Sequence, residues 1–118
     1  MHQFEKLKIW QKAMDITENV YRACITLPQE EKFNLTSQMK RCSVSIPSNI
    51  AEGSGRNSKN EFAHFLGIAN GSTFELITQL MISKRLGLID EGIIKPIINE
   101  LVKVSNMNFA LQKTLKNQ

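Results

Sequence analysis

Hydrophobic residues recur every three or four positions through most of the chain, which is the spacing of one face of an α-helix. Turn residues divide this pattern into four segments, at about residues 4–27, 34–54, 58–86 and 91–116. No strand-like alternation and no internal repeat is visible. Because short links join antiparallel neighbours, the pattern predicts an all-α fold: an antiparallel up-down-up-down four-helix bundle in one domain, residues 1–118.

Capping residues give the predicted helices their ends. Pro28 stops the first helix, and Asn34 is the predicted N-cap of the second. Ser58 and Glu61 have the spacing of a capping box, in which the serine accepts from the fourth residue's N–H and the glutamate reaches back. Gly87 follows two basic residues and is expected to end the third helix.

The first helix has more apolar surface than one bundle needs. One set with helical spacing comprises Leu7, Trp10, Met14, Thr17, Tyr21 and Cys24; a second, on the flank, comprises Ile9, Ala13, Ile16, Val20, Ala23 and Leu27. Together they span an arc of roughly 200°, whereas a packed helix needs a stripe somewhat above 100°. We therefore expect Ile9, Ile16 and Ala23 to contact a second copy of the chain. The alternative is that they are scattered surface residues.

Charge and composition narrow the class of protein. The 118 residues include 15 Lys and Arg and 11 Asp and Glu, a net charge of +4, with 42% hydrophobic residues. This is a mild bias toward anionic partners. The charged first twenty residues offer no secretory signal, and no segment has the ~18 apolar residues of a membrane span. We expect a cytoplasmic protein with reduced Cys24 and Cys42.

Catalytic chemistry is not indicated. Glu61 and His64 match the Glu-x-x-His pattern of di-iron bundles, but such sites need a second motif, and the only other histidine is His2. No nucleophile elbow or phosphate-binding glycine loop appears. We predict that the chain is not an enzyme and binds no metal or cofactor; a metal-dependent bundle enzyme is the less favoured interpretation.

Basic residues provide the clearest lead to a partner. Three clusters occur, and they contain Lys40 with Arg41, Arg56 with Lys59, and Lys84 with Arg85. Repeated around an oligomer, these clusters would form a positive belt that could hold nucleic-acid phosphates. The alternative is an ordinary solvated surface.

A polar set on the second helix is a further candidate. Asn49, Glu52 and Arg56 lie on one helical face, and Glu75 of the third helix could pair with Arg56 or with Arg41. A network that fixes helix register or a subunit contact is favoured, and a site for a ligand or partner is the alternative.

The segment SIPSNIAEGSGRNSKNEFAHFLGIANGSTFEL, residues 45–76, carries a family resemblance. With FEKLKIWQKA and LTSQMKRCSVSI before it and QLMISKRLGLI after it, the chain resembles the four-helix-bundle proteins of the 23S rRNA-intervening-sequence family, so-called ribosomal proteins. The resemblance implies an up-down bundle, a homopentamer and no catalytic residues.

The chain is also similar to the accessory variability proteins of diversity-generating retroelements, basic pentamers that bind nucleic acid beside a reverse transcriptase. That similarity implies phosphate contacts at Arg41, Arg56 and Lys59, and makes a reverse transcriptase a candidate protein partner. Two functions stay open. One is an oligomeric accessory protein that binds RNA or DNA non-specifically, and the other is a protein–protein scaffold with no affinity for nucleic acid.

Overall fold

A computed structural model describes residues 3–117. This part of the chain contains four α-helices, two single 3-10 turns and no strand; the helices are α1 (Lys8–Cys24), α2 (Leu35–Ser54), α3 (Lys59–Arg85) and α4 (Glu91–Lys116). The 3-10 turns, Phe4–Lys6 and Gln29–Glu31, lie before α1 and α2. The helices build an elongated body with extents of 46 × 22 × 20 Å.

Each helix packs on two others, and neighbouring helices run in opposite directions. The packed pairs are α1 with α2, α2 with α3, α3 with α4, and α4 with α1. Early residues of α2 meet late residues of α3, as when the Ser83 hydroxyl donates to the sulfur of Met39 at 3.6 Å. Late residues of α2 meet early residues of α3, since Gly53 lies against Phe65. This arrangement of the four helices agrees with the predicted up-down-up-down bundle.

The core runs along the shared axis of the four helices. Its fully buried large side chains come from every helix and are Ile16, Val20, Met39, Ile46, Ile50, Leu66, Leu76, Leu80, Ile94, Leu101, Val104 and Asn108. The buried amide of Asn108 donates to the carbonyl oxygen of Leu66 at 2.9 Å and accepts from Gln112 at 2.6 Å. A polar group at full burial is thus satisfied and ties α4 to α3.

The inward face of α1 differs from the expectation. Ile9, Ile16 and Ala23, the predicted contacts with a second copy, are buried in the chain's own core at 3%, 1% and 3% exposure. They are therefore inaccessible to a partner, and that prediction is wrong. Met14 and Tyr21, from the set expected to face inward, are exposed instead.

The reason is the size and shape of the two sets. The buried stripe includes the small residues Ala13 and Ala23 beside Ile9, Ile16 and Val20, so α2 and α4 can approach α1 closely. Tyr21 has a polar tip and packs its ring beneath the Lys40 ammonium, 5.0 Å from the ring centroid. Periodicity alone does not distinguish the two stripes, and only the packing of three-dimensional neighbours decides between them.

Two of the predicted helix ends are confirmed by their local geometry. The Ser58 hydroxyl accepts from the Glu61 N–H at 3.1 Å at the start of α3, although the Glu61 carboxylate makes no return bond among the described residues. Gly87 has φ +67, in the left-handed region that glycine adopts readily, just after α3 ends.

The start of α2 departs from the prediction. Asn34 precedes the helix but makes no side-chain cap hydrogen bond. By contrast, the carboxylate of Asp90, which precedes α4, accepts from the Gly92 N–H at 2.9 Å. α4 begins at Glu91, as predicted, and is helical through Pro96.

The helices α2 and α3 approach each other closely at Gly53. A Cβ atom at Gly53 would lie 2.7 Å from Phe65 Cβ and 3.0 Å from Phe62 Cδ1. Because real Cβ atoms do not approach so closely, glycine is required where these helices cross. None of the helices in the described region has the length and apolarity needed to cross a membrane.

Candidate nucleic-acid interface

Two of the three basic clusters lie at the same end of the bundle. Lys40 and Arg41 directly follow Met39 on α2, and Lys84 and Arg85 directly follow Ser83 on α3. Since Met39 and Ser83 are in contact, the two clusters are neighbours. The third cluster lies at the opposite end, with Arg56 in the α2–α3 connection and Lys59 at the first residue of α3.

Half of the candidate cations are engaged within the chain. The Lys40 ammonium lies over Tyr21, and Lys84 pairs with Glu91 at 3.0 Å. That bond with Lys84, together with the positive charge of Lys84, lowers the pKa of the Glu91 carboxyl. A phosphate that contacts Lys84 would have to compete with this ion pair.

Arg56 is the most constrained of the cations. Its guanidinium donates to the Glu52 carboxylate at 2.7 Å and lies 4.7 Å from the centroid of the Phe65 ring. By contrast, Arg41, Lys59 and Arg85 form no ion pair within residues 3–117, and all three side chains are exposed. These three are the cations that are free to contact phosphate.

The predicted polar network forms only in part. The Glu52–Arg56 pair is present, whereas Asn49 donates to the carbonyl oxygen of Ser45 at 2.8 Å rather than to Glu52. Glu75 forms no salt bridge in the described chain, so its expected pairing with Arg41 or Arg56 is wrong. It faces the first half of α2, where it lies beside the thiol of Cys42.

A polar cleft between α2 and α3 surrounds Glu75, and sequence patterning did not reveal it. Its volume is about 430 Å³, and it is lined by Phe33, Ser37, Gln38, Arg41, Cys42, Ser45, Ser72, Glu75 and Gln79. The Ser45 and Ser72 hydroxyls hydrogen-bond to each other at 2.6 Å across the two helices. Arg41, one of the three unpaired candidate cations, lines this cleft.

Two side chains give the cleft unusual chemistry. Burial, followed by the negative charge of the neighbouring Glu75 carboxylate, raises the pKa of the Cys42 thiol to about 12. Gln79 is only 6% exposed, and its Oε1 has no hydrogen-bond partner within the described residues. An unpaired buried acceptor costs about 1–3 kcal/mol, so it stands out in a fold whose other buried polar groups are nearly all satisfied.

The outward side of α3 is a second surface that the sequence left unassigned. Gly67, Gly71, Phe74, Thr78 and Met81 recur at helical spacing and are exposed; we call them the α3 stripe. Phe74 is 51% exposed, and no atom lies within 4 Å of a Cβ placed at either glycine. The glycines therefore do not serve a close helix crossing inside the described chain.

The α3 stripe is also poor in charge. Over residues 65–83 the only charged side chain is Glu75, which lies beside the α2–α3 cleft rather than in the stripe. On the neighbouring helix α4, Val102 and Phe109 are exposed as well. A helix that is apolar around most of its circumference is typical of a helix covered on every side.

The described residues contain no cluster of side chains that could bind a metal ion. Residues 3–117 contain no group of three or more His, Cys, Asp or Glu side chains close enough to hold an ion. His64 packs its ring edge against Phe65, with centroids 5.7 Å apart. His2, the other histidine considered, lies outside the described residues.

Comparison with known proteins gives one family and one fold. The family model described as 23S rRNA-intervening sequence protein matches residues 5–110. A crystal structure of a protein with unknown function from the S23 ribosomal protein family of Bacteroides thetaiotaomicron superposes with a TM-score of 0.80. It is 20% identical, and the match covers 89% of this chain and 98% of that one, which demonstrates a shared fold. No curated protein sequence matches the chain.

Proposed function

Because this chain belongs to the 23S rRNA-intervening sequence protein family, with no catalytic constellation among the described residues to suggest a reaction, we propose that it is a non-catalytic homo-oligomer that binds nucleic acid. Binding is to phosphates rather than to a base sequence along a duplex. The observation that carries the proposal is that the α3 stripe has no charged side chain while three exposed cations form no ion pair among the described residues.

The α3 stripe supports the oligomer. Its exposed Phe74 and Met81 side chains are unfavourable in water, and covering them with another surface lowers the free energy. A second copy of the chain presents the same row, and closed symmetric assemblies are the common result of such self-association. Five copies is the number that the family resemblance implies. This stripe replaces the α1 flank as the proposed contact surface.

The unpaired cations support nucleic-acid binding. Arg41, Lys59 and Arg85 have no carboxylate partner among the described residues, so contact with a phosphate would break no existing ion pair. Each chain carries a net charge of +4, and an assembly multiplies that charge over one continuous surface. Release of condensed counterions from the nucleic acid then drives association.

The test is the salt dependence of affinity. A fluorescently labelled duplex and a structured RNA are titrated with the protein by anisotropy at several salt concentrations. We expect a steep fall in affinity with salt. Arg41→Glu or Arg85→Glu should make the dependence of log K on log salt less steep. The magnitude of the slope should fall by about 1 for each phosphate that the variant no longer neutralises.

Arg22→Glu is the matched control. It makes the same charge change at an exposed position on α1 where the native side chain pairs with Glu18 at 3.6 Å. It should weaken binding much less than Arg41→Glu does. Affinity that is insensitive both to salt and to the Arg41 and Arg85 changes would refute nucleic-acid binding.

A protein–protein scaffold is the second candidate. It is favoured by the engagement of Lys40, Arg56 and Lys84 inside the chain, which leaves fewer cations for phosphate. This function needs the oligomer but predicts no salt-sensitive affinity for any nucleic acid. The anisotropy titration therefore separates the two functions.

A further inference from the structure

We propose that copies of the chain meet head to tail, with the α3 stripe of one copy packed against an apolar face on α1 and α2 of the next. That face consists of Met14, Tyr21, Lys40 and Val44, and we call it the α1–α2 face. The inference rests on the proposed oligomer and deepens it, because it assigns the surface that covers the stripe. Two stripes that met each other would close a two-fold dimer, whereas a ring of five needs two different surfaces on each chain.

The members of the α1–α2 face lie together on the outer seam between the two helices. The Lys40 ammonium is 5.0 Å from the centroid of the Tyr21 ring, which places this part of α2 beside this part of α1. Met14 precedes Tyr21 by two helical turns, and Val44 follows Lys40 by about one turn. The seam therefore carries a compact apolar group with one cation.

The apolar side chains of this face remain open to water within the chain. Met14 is 37%, Tyr21 41% and Val44 40% exposed. Covering such a group with another apolar surface is favourable. The outward apolar surface of α1 is thus the stripe that contains Met14 and Tyr21, and not the buried flank.

The α3 stripe and the α1–α2 face lie on different sides of the bundle. α3 packs on α2 and α4, and no helix contact joins α3 to α1 across the bundle within the described residues. The two helices therefore occupy opposite corners, and their outward sides point away from each other. One chain can use both surfaces at once, which is the condition for contacts that continue from copy to copy.

An unpaired charge beside each surface makes the two surfaces complementary. Lys40 of the α1–α2 face and Glu75, which is exposed at the edge of the α3 stripe, form no ion pair within residues 3–117. In a head-to-tail contact the cation of one copy faces the anion of the next, so each charge that loses water gains a partner. Contact between two stripes would instead bring two Glu75 carboxylates together, because Glu75 directly follows Phe74 at the middle of the stripe.

The α3 stripe also has room for large side chains from a neighbouring helix. No atom lies within 4 Å of a Cβ placed at Gly67 or at Gly71, and the two glycines are about one turn apart. The surface of α3 is therefore low beside Phe74. Side chains of one helix pack into such a depression on another, and Met14 and Tyr21 have the size to fill it.

Mixing two variants tests the arrangement. Phe74→Glu disrupts the α3 stripe and leaves the α1–α2 face intact, and Met14→Glu does the reverse. We expect each variant alone to have the mass of one chain, 13.4 kDa. An equimolar mixture should form a dimer with one chain of each variant, because the intact stripe of one meets the intact face of the other and growth stops there. Sedimentation velocity with one variant labelled measures both mass and composition.

Charge reversal tests the contact between Lys40 and Glu75. Lys40→Glu and Glu75→Lys should each weaken assembly at least fivefold, and the double variant should recover the native mass. Asn19→Glu is the matched control for Met14→Glu, since Asn19 is an exposed residue of α1 on the side that faces α4. It should keep the native mass, and circular dichroism checks that every variant remains helical.

Failure of this contact is distinguishable from failure of the oligomer. If Phe74→Glu dissociates the assembly while Met14→Glu and Lys40→Glu keep the native mass, the stripes meet each other and the head-to-tail contact alone is wrong. Single variants that dissociate but neither combine in the mixture nor recover in the double variant would also overturn it. A native protein with the mass of one chain at micromolar concentration would contradict the oligomer itself, and this contact with it.

Discussion

At the scale of single residues, Cys42 shows how one contact changes the chemistry of a side chain. Its thiol donates to the carbonyl oxygen of Ser72 at 3.1 Å, and the Glu75 carboxylate lies beside it. Burial and this carboxylate raise its pKa from 9.0 to about 12. The thiolate, which is the reactive form, is therefore scarce at neutral pH.

A dependence of stability on alkaline pH follows from this shift. The native thiol keeps its proton to a higher pH than the unfolded thiol, so the free energy of unfolding should fall as the pH rises above about 9. Cys42→Ser keeps a donor for Ser72 and does not ionise in this range, and it should lose less stability over the same interval. Urea unfolding at neutral pH and at about pH 10 measures both; an identical loss in the two proteins would contradict the assignment.

Residue-scale features were the least accessible to sequence analysis. The Ser58 cap is a local signal, and it was predicted from spacing alone. The surroundings of Gln79 and Glu75 depend on which side chains from α2 and α3 meet in space. Helical spacing placed Glu75 near α2 but had no means of choosing Cys42 over Arg41 as its neighbour.

At the scale of elements, two glycines that both lie inside predicted helices differ in how closely other atoms surround them. A Cβ at Gly53 would collide with Phe65, whereas a Cβ at Gly67 meets no atom within 4 Å. Both residues lie within helices, where glycine costs roughly 0.5–1 kcal/mol relative to alanine. The difference in surroundings decides the sign of a substitution.

We expect Gly53→Ala to lower the free energy of unfolding by about 1–3 kcal/mol, since α2 and α3 must move apart. Gly67→Ala should raise it by about 0.5–1 kcal/mol. Chemical unfolding at the lowest workable protein concentration gives both values while limiting the contribution of association. Equal effects of the two substitutions would show that the close α2–α3 crossing is not a constraint.

The elements themselves were largely within reach of sequence patterning. Four periodic segments, the Ser58 cap and the Gly87 stop appear in the structure close to where the pattern put them. The inward face of α1 was assigned wrongly because two apolar stripes with equal spacing compete there. Small residues such as Ala13 carried the decisive information, since they mark where another helix comes close.

At the scale of the whole molecule, the α3 stripe leads to a prediction about assembly. Phe74→Glu replaces the largest exposed side chain of the stripe with a charge and should reduce the solution mass from a multiple of 13.4 kDa toward that of one chain. Light scattering at micromolar concentration measures the mass, and circular dichroism checks that the helices persist.

Ile25→Glu provides the comparison, because Ile25 is highly exposed but lies beyond the end of α1, away from the stripe. Its solution mass should equal that of the native protein. A native protein that is monomeric at these concentrations would remove the basis for the proposed oligomer.

The close crossing of α2 and α3 also bears on the order in which the molecule folds. These two helices are consecutive, only a short link from Gly55 to Ser58 joins them, and they pack more extensively than any other pair. Closing a short loop costs little chain entropy, so this hairpin can form its contacts before distant segments are gathered. We infer that α2 and α3 form the folding nucleus, onto which α1 and α4 dock afterwards. The segment that carries the family resemblance is then also the segment that organises the rest of the chain.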